Sequence, residues 1–173
     1  MHSNTIRNPP PDRPLDRTDV EILALLQKDA RLSNKELAGK VGLSPSTVLG
    51  RVRRLVERGA LRGFHAELDP AQVGVGLQGL VMVRLRQHSR GLVESFRDHL
   101  LNLPEVVQAF HVSGRFDYMV HVAVRDAEHL RDLAMDELTT RAEVAHIETS
   151  LAFEHVRAGG LPIYARGLME SPG

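Results

Sequence analysis

The stretch SPSTVLGRVRRLVER, residues 44–58, decides how the rest of the chain is read. Ser44 suits a helix N-cap, Pro45 the first helical position, and Ser46 and Thr47 the first turn. Val48, Val52, Leu55 and Val56 recur at the spacing of a buried helical stripe. Arg51, Arg54 and Arg58 form a second stripe, with Arg53 beside it. One face is therefore anchored in a core while the other offers guanidinium forks. Such forks match phosphate, and the O6/N7 edge of guanine, bidentately. An isolated helix of this design is either a solvated basic face or a reader of the DNA major groove.

The residues before it favour the reader. Asp16 and Asp19 have capping-box spacing ahead of Val20, Ile22, Leu23 and Leu26, so they read as a helix cap and not as a catalytic dyad. Ser33 and Glu36 form a second box opening a short helix with Leu37, Ala38 and Val41 inward. Gly42 suits the left-handed position of a tight turn, and Leu43 plugs the space between the two helices. A short helix, a glycine turn and a capped helix with an arginine face make a helix-turn-helix. Residues 59–68, GALRGFHAEL, read as a two-stranded wing ending at Asp69-Pro70. In this reading Ser44, Ser46, Thr47, Gly50, Arg51, Arg53, Arg54 and Arg58 face double-stranded DNA. Arg51, one turn in, is the expected base reader and Arg58 a phosphate contact. Gly50 is either tolerated inside the helix or marks close approach of the backbone to DNA.

The second half follows a different pattern. Residues 70–79, with Pro70, Gly74, Gly76 and Gly79, read as a flexible link. Leu80–Leu85 is a strand, and Leu92, Val93, Phe96, Leu100 and Leu103 line one face of a helix. Two strands, 106–113 and 117–124, flank Gly114-Arg115-Phe116. Asp126 caps a helix with Leu130, Leu133, Ala134 and Leu138, and residues 144–156 form a last strand. The order β-α-β-β-α-β predicts a ferredoxin-like domain, making the whole chain α+β. Alternation puts Tyr118, Val120, Val122 and Val124 on one face and Met119, His121 and Ala123 on the other, without showing which set meets the helices. The uncovered face of such a sheet calls for a partner.

Composition bounds the rest. The 173 residues are 42% hydrophobic but only 4% aromatic, so the cores are aliphatic. Net charge is zero, yet residues 1–69 carry 12 Lys+Arg against 9 Asp+Glu, and residues 70–173 carry 10 against 13. A basic front and an acidic remainder suit a DNA-binding head on a separate body. The absence of Cys excludes disulfides, thiolate zinc sites and cysteine nucleophiles. No apolar run approaches the ~20 residues of a membrane span, and the chain reads as cytoplasmic. Seven of the nine histidines follow residue 80, but none has a metal-ligand spacing, and surface or interface positions are the simpler account. No cofactor or metal is expected. The domains are thus an arm (1–14), a winged helix-turn-helix (15–69), a link (70–79), a ferredoxin-like domain (80–156) and a tail (157–173).

The Leu15-Asp16 start, the Asp29-Ala30-Arg31 before the second helix, Gly42-Leu43-Ser44, Arg51-Val52-Arg53-Arg54-Leu55 and the small apolar wing resemble the Lrp/AsnC (leucine-responsive/asparagine regulator) transcription factors. That resemblance implies a sequence-specific DNA-binding regulator whose second domain binds an effector and oligomerises. The implied partners are DNA, an amino acid or related small molecule, and a homodimer assembling further, commonly to an octamer. It also assigns the loop Gly114-Arg115-Phe116-Asp117-Tyr118. By its residues alone this loop is either a plain hairpin turn or a clamp, with Gly114 N–H groups on a carboxylate and Asp117 on an ammonium. The family's G-x-x-D loop matches Gly114 and Asp117 and lines an effector pocket, with Thr149 and Ser150 at further contact positions. Ala142-Glu143-Val144 departs from the family's Gly-Val at the last strand. One alternative uses the same architecture: sirohaem decarboxylases, enzymes that place histidines near a tetrapyrrole. The arginine stripe favours the regulator.

Overall fold

The computed structural model describes residues 14–87, 89–157 and 159–164. The disordered arm expected over residues 1–14 lies, but for Pro14, outside the described residues, as does His88. The described residues divide into two compact units: 14–66 together with 157 and 159–164, and Glu67–Val156.

The first unit holds three helices, α1 (Arg17–Lys28), α2 (Asn34–Val41) and α3 (Pro45–Glu57). Each begins where side-chain chemistry dictates. Asp16 accepts from the Asp19 N–H at 2.9 Å while Asp19 reaches back to the Asp16 N–H, and Ser33 and Glu36 repeat this reciprocal box on α2. Ser44 accepts from the Thr47 N–H at 3.2 Å with Pro45 at the first helical position. Gly42 closes α2 at φ +69°, the left-handed conformation that its lack of a Cβ allows. Ile22, Leu23, Leu26, Leu37, Ala38, Val48 and Leu55 form the buried core, with Val52 and Leu43 packed on its edge. Val56, expected in the stripe, is 49% exposed. The buried arc of α3 is narrower than the spacing suggests and centres on Val48 and Leu55. The two strands expected within the wing are not formed: residues 58–69 carry no strand. Almost every residue there is exposed, and two strands with no face to bury are marginal in water.

The second unit is a four-stranded antiparallel sheet with helices on one side. Its elements are β1 (Leu77–Leu85), α4 (Arg90–Leu100), β2 (Val106–His111), β3 (Tyr118–Val124), α5 (Ala127–Asp132), which continues as a wider helical turn over Leu133–Thr139, and β4 (Val144–Leu151). The spatial order β2-β3-β1-β4 is that of the ferredoxin-like fold. Val81, Val83 and Leu85 of β1 and Tyr118, Val120, Val122 and Val124 of β3 meet Phe96, Leu100, Leu130, Leu133 and Leu138 of the helices in one core. The face left open carries Gln78, Leu80 and Met82 opposite Ala123, His121 and Met119. On β2 a bulge between Val106 and Gln108 breaks the alternation.

Two boundaries differ from expectation. β1 starts at Leu77, inside the stretch read as a flexible link, because Leu77, Gln78 and Gly79 pair with Val124, Ala123 and Val122. Two of the glycines there serve packing: a Cβ at Gly76 would run into the Arg125 carbonyl, and one at Gly79 would crowd the Ser150 carbonyl. β4 stops at Leu151 rather than Val156. Its last rung is the Ala152 N–H on the Gln78 carbonyl at 2.9 Å, and beyond that β1 offers no further strand to pair with.

Candidate nucleic-acid interface and effector site

On α3, Val48 and Leu55 point into the core. Ser46, Thr47, Gly50, Arg53 and Arg54 are exposed and fall at i, i+1, i+4, i+7 and i+8, a single outward face. The Ser44 hydroxyl bonds those of Ser46 and Thr47 at 3.0 and 2.8 Å, so the helix start is a cluster of hydroxyls. Arg53 and Arg54 hold no ion pair among the described residues. Hydroxyls on the first turn and two guanidiniums about two turns further along the same outward face, with Arg54 in the last turn, are chemically suited to phosphates and base edges on a helix whose other face is anchored.

Arg51 does not belong to this face, which corrects the expected base reader. Its Nη1 bonds Asp16 at 2.6 Å and Asp19 at 2.7 Å, leaving the side chain only 20% exposed. The reason is rotation about the helix: Arg51 lies five residues from Ser46, turned from the outward face toward α1, where two capping carboxylates stand. That guanidinium holds the Asp16 carboxyl below the ordinary carboxylate range, with burial opposing and the Asp19 N–H assisting. Arg58, half-buried, is the C-cap residue of α3, its N–H on the Arg54 carbonyl at 3.0 Å. The stripe 51-54-58 is therefore not one surface; the outward arginines are 53 and 54.

In the second unit the loop between β2 and β3 takes the turn expected of it. Gly114 has φ +117°, open to glycine and costly for other residues. Asp117, expected to meet a ligand ammonium, is instead 6% exposed and holds the sheet together. Its carboxylate accepts from the Leu85 N–H at 2.7 Å, its own N–H donates to the Val83 carbonyl at 2.8 Å, and its carbonyl accepts from Val112 at 2.9 Å. Tyr118 is likewise turned inward, edge-on to Phe96 at 5.2 Å with its hydroxyl donating to the Val93 carbonyl at 3.0 Å. Burial pushes the Tyr118 phenol up, away from ionisation.

Arg115 and Phe116 remain at the surface, and they lead to residues the sequence reading missed. Arg115 Nη2 bonds Glu148 at 2.7 Å, its guanidinium lies 5.1 Å over the Phe116 ring, and Phe116 stacks with His146 at 6.5 Å. His146 in turn meets Glu148 at 3.3 Å. The signal was available: His146, Glu148 and Ser150 alternate on β4 and so share the open face. Register separates the two expected β4 contacts, because Ser150 opposes Leu80 on the open face whereas Thr149 opposes Val81 on the helix side.

At the entry to β4 the departure Ala142-Glu143 acquires a structural role. Glu143 is buried and bonds Arg141 at 2.6 Å, while its carbonyl accepts from the Arg86 N–H at 2.8 Å. Burial pushes its carboxyl up, but its own backbone N–H and Arg141 outweigh this and leave it below the usual range. The histidines are spread over separate partners: His99 on the Glu137 carbonyl, His129 on Glu105, His121 on Gln78. No group of three His, Asp or Glu among the described residues could hold a metal.

The winged helix-turn-helix DNA-binding family matches residues 15–62, and the Lrp/AsnC ligand binding domain matches residues 78–161. The transcriptional regulator AldR of Mycolicibacterium smegmatis is 45% identical over 151 residues, covering 87% of this chain and 88% of that protein.

The chain belongs to the Lrp/AsnC family of transcriptional regulators.

Other Lrp/AsnC members extend the match. The leucine-responsive regulatory protein of Escherichia coli is 37% identical over 147 residues, covering 85% of this chain and 90% of its own. Among solved structures, a Neisseria meningitidis transcriptional regulator in complex with L-Met superposes with TM-score 0.78 at 32% identity, over 86% of this chain and 96% of that one. This Lrp/AsnC chain is thus a helix-turn-helix transcription regulator with a ligand-binding domain, and not an enzyme. The decarboxylase alternative has no support among these relatives. No helix among the described residues is long and apolar enough to cross a membrane.

Proposed function

We propose that this regulator reads double-stranded DNA with Ser46, Thr47, Gly50, Arg53 and Arg54, and that an amino acid held beside the loop 113–117 controls its DNA binding or assembly. The observation that carries the first part is the single exposed face of α3, with two arginines that no described carboxylate engages. For the second part, the Neisseria relative was solved with L-Met, and Arg115 and Glu148 lie 2.7 Å apart on the open sheet face. A free amino acid carries the same two charges as this ion pair, so its carboxylate and ammonium can exchange with it, Arg115 taking the carboxylate and Glu148 the ammonium. Gly114 supplies its backbone N–H to the same carboxylate. Ser150 shares the face of Glu148. The protein works in the cytoplasm as a homodimer, formed through the open face of Leu80, Met82, Phe110 and Met119, that assembles further toward an octamer.

Selection of bound fragments from random duplex DNA, followed by affinity titration across salt, tests the DNA reading. Arg53→Ala and Arg54→Ala should each weaken binding, and any arginine on phosphate should lower the salt slope by about one unit. Full affinity in the double variant would overturn the assignment. Thermal-shift screening with the amino acids, then calorimetry on Glu148→Gln, tests the effector site. Light scattering with and without the ligand reads the assembly.

A further inference from the structure

Residues 159–164 group with the helical unit, although 134 positions separate Gln27 of α1 from Leu161. Three observations place this returning segment against α1. The Gln27 side-chain amide donates to the Leu161 carbonyl at 3.2 Å. Ile163 is half-buried and packs on the cluster formed by Ile22, Leu26, Leu37 and their neighbours. Gly160 passes so close that a Cβ there would lie 2.9 Å from the Cβ of Gln27. With Gln27 in place, a side chain at 160 would force a shift, so the glycine serves close approach.

The helical unit has reason to need such a segment. Its helices are 12, 8 and 13 residues long and bury only a small aliphatic core, and no strand of a wing covers it. Units of that size bury a low fraction of their surface and are marginal alone. We infer that residues 159–164 are a strap that completes the DNA-binding head, so that the head is built from both ends of the sequence and its grip on DNA depends on the C-terminus. The path runs through α1. The strap fastens Gln27 and the core under α1, and the Asp16 and Asp19 carboxylates on α1 hold Arg51 of the reading helix. Loosening α1 therefore loosens the seat of α3 without removing any group that faces DNA. This inference stands independently of which ligand the second unit binds.

The chain contains no cysteine, so an engineered pair reports cleanly. In the full-length protein carrying Gln27→Cys and Gly160→Cys, the two Cβ atoms come within reach of a disulfide after a small shift. Oxidation should give an internal cross-link, seen as a faster monomer band on a non-reducing gel. A cross-linked dimer would mean that the segment docks on a second copy, and no cross-link would mean that it does not dock; either result overturns the strap. Separately, a chain ending at Arg157 and the variant Ile163→Asp should speed amide exchange in α1 by roughly tenfold or more, as expected for losing one partly buried aliphatic side chain. Both should bind all DNA sequences more weakly in equal proportion, while Ile163→Leu behaves as the parent and exchange in the sheet stays unchanged. Unaltered α1 exchange and DNA affinity in the truncated chain would overturn the inference.

Discussion

At the scale of single residues, two charged groups chosen for ligand contact turn out to hold the protein together. Arg51 uses one nitrogen for both α1 carboxylates, and its Nε is buried without a partner. Because a single nitrogen does the bonding, an ammonium can replace it. Arg51→Lys should retain most of the stability, whereas Arg51→Ala should cost about 1.5–3 kcal/mol, the range for hydrogen bonds to charged groups. Chemical denaturation of both variants checks this, and the loss of DNA affinity in Arg51→Ala should be uniform across sequences rather than confined to one base pair. Asp117 makes a parallel case. Removing its carboxylate strands the buried Leu85 N–H, so Asp117→Ala should destabilise the sheet unit by about 1–3 kcal/mol. Asp117→Asn keeps an acceptor oxygen and should lose less. If Asp117→Ala melted with the parent while losing ligand affinity, the residue would be a ligand contact and not a bracket between β1 and β3.

At the scale of elements, α3 combines firm ends with one soft position. Gly50 sits in its exposed face, and a Cβ added there meets no atom within 4 Å. Gly50→Ala should therefore stabilise the protein by up to about 1 kcal/mol. Affinity for a selected DNA fragment should stay unchanged if the glycine is merely tolerated, while a clear loss would show that the helix backbone closes on the DNA. The caps argue in the other direction. Ser44 bonds the Thr47 N–H and two neighbouring hydroxyls, so Ser44→Ala should cost about 1 kcal/mol in thermal unfolding. It should also weaken DNA binding, by freeing the first turn that presents Ser46 and Thr47.

At the scale of the whole molecule, the two units should answer acid differently. His121 is 8% exposed on the open sheet face, between Gln78 and His155, and burial, followed by the nearby His155, pushes its pKa down. A histidine whose folded pKa lies below its unfolded value binds protons more readily when unfolded, so stability falls with pH from about 6.5 downward. In the helical unit the shifted carboxyls are Asp16, depressed by Arg51, and Glu36, depressed by the Ser33 hydroxyl; the stability they add is present above about pH 4 and lost on acidification below that. Amide exchange followed from pH 7 to 5 should thus show the sheet unit weakening first. His121→Gln should flatten that dependence, and an equal slope in the variant would assign the effect to another group.

What the sequence determined by itself rests on short spacings, although residues 59–68 form no strand and Val56 lies outside the buried stripe. Asp16 with Asp19, Ser33 with Glu36, Ser44-Pro45 and Gly42 specify three helices and a turn within a few residues each, and period-two runs specify the strands. The order of these elements then leaves the helix-turn-helix and the ferredoxin-like sheet as the fold. The tertiary structure decided which way a charged side chain is spent. Arg51 and Arg54 are equivalent in a spacing diagram, and only the arrival of α1 carboxylates beside one of them separates an anchor from a reader. Asp117 has the same local surroundings whether it meets a ligand or the end of β1, and strand pairing made the choice. The return of Ile163 to the helical core involves partners far apart in the chain, so no local period carries it. Local chemistry sets conformation because its partners are close in sequence; burial and pairing depend on partners brought together only by folding.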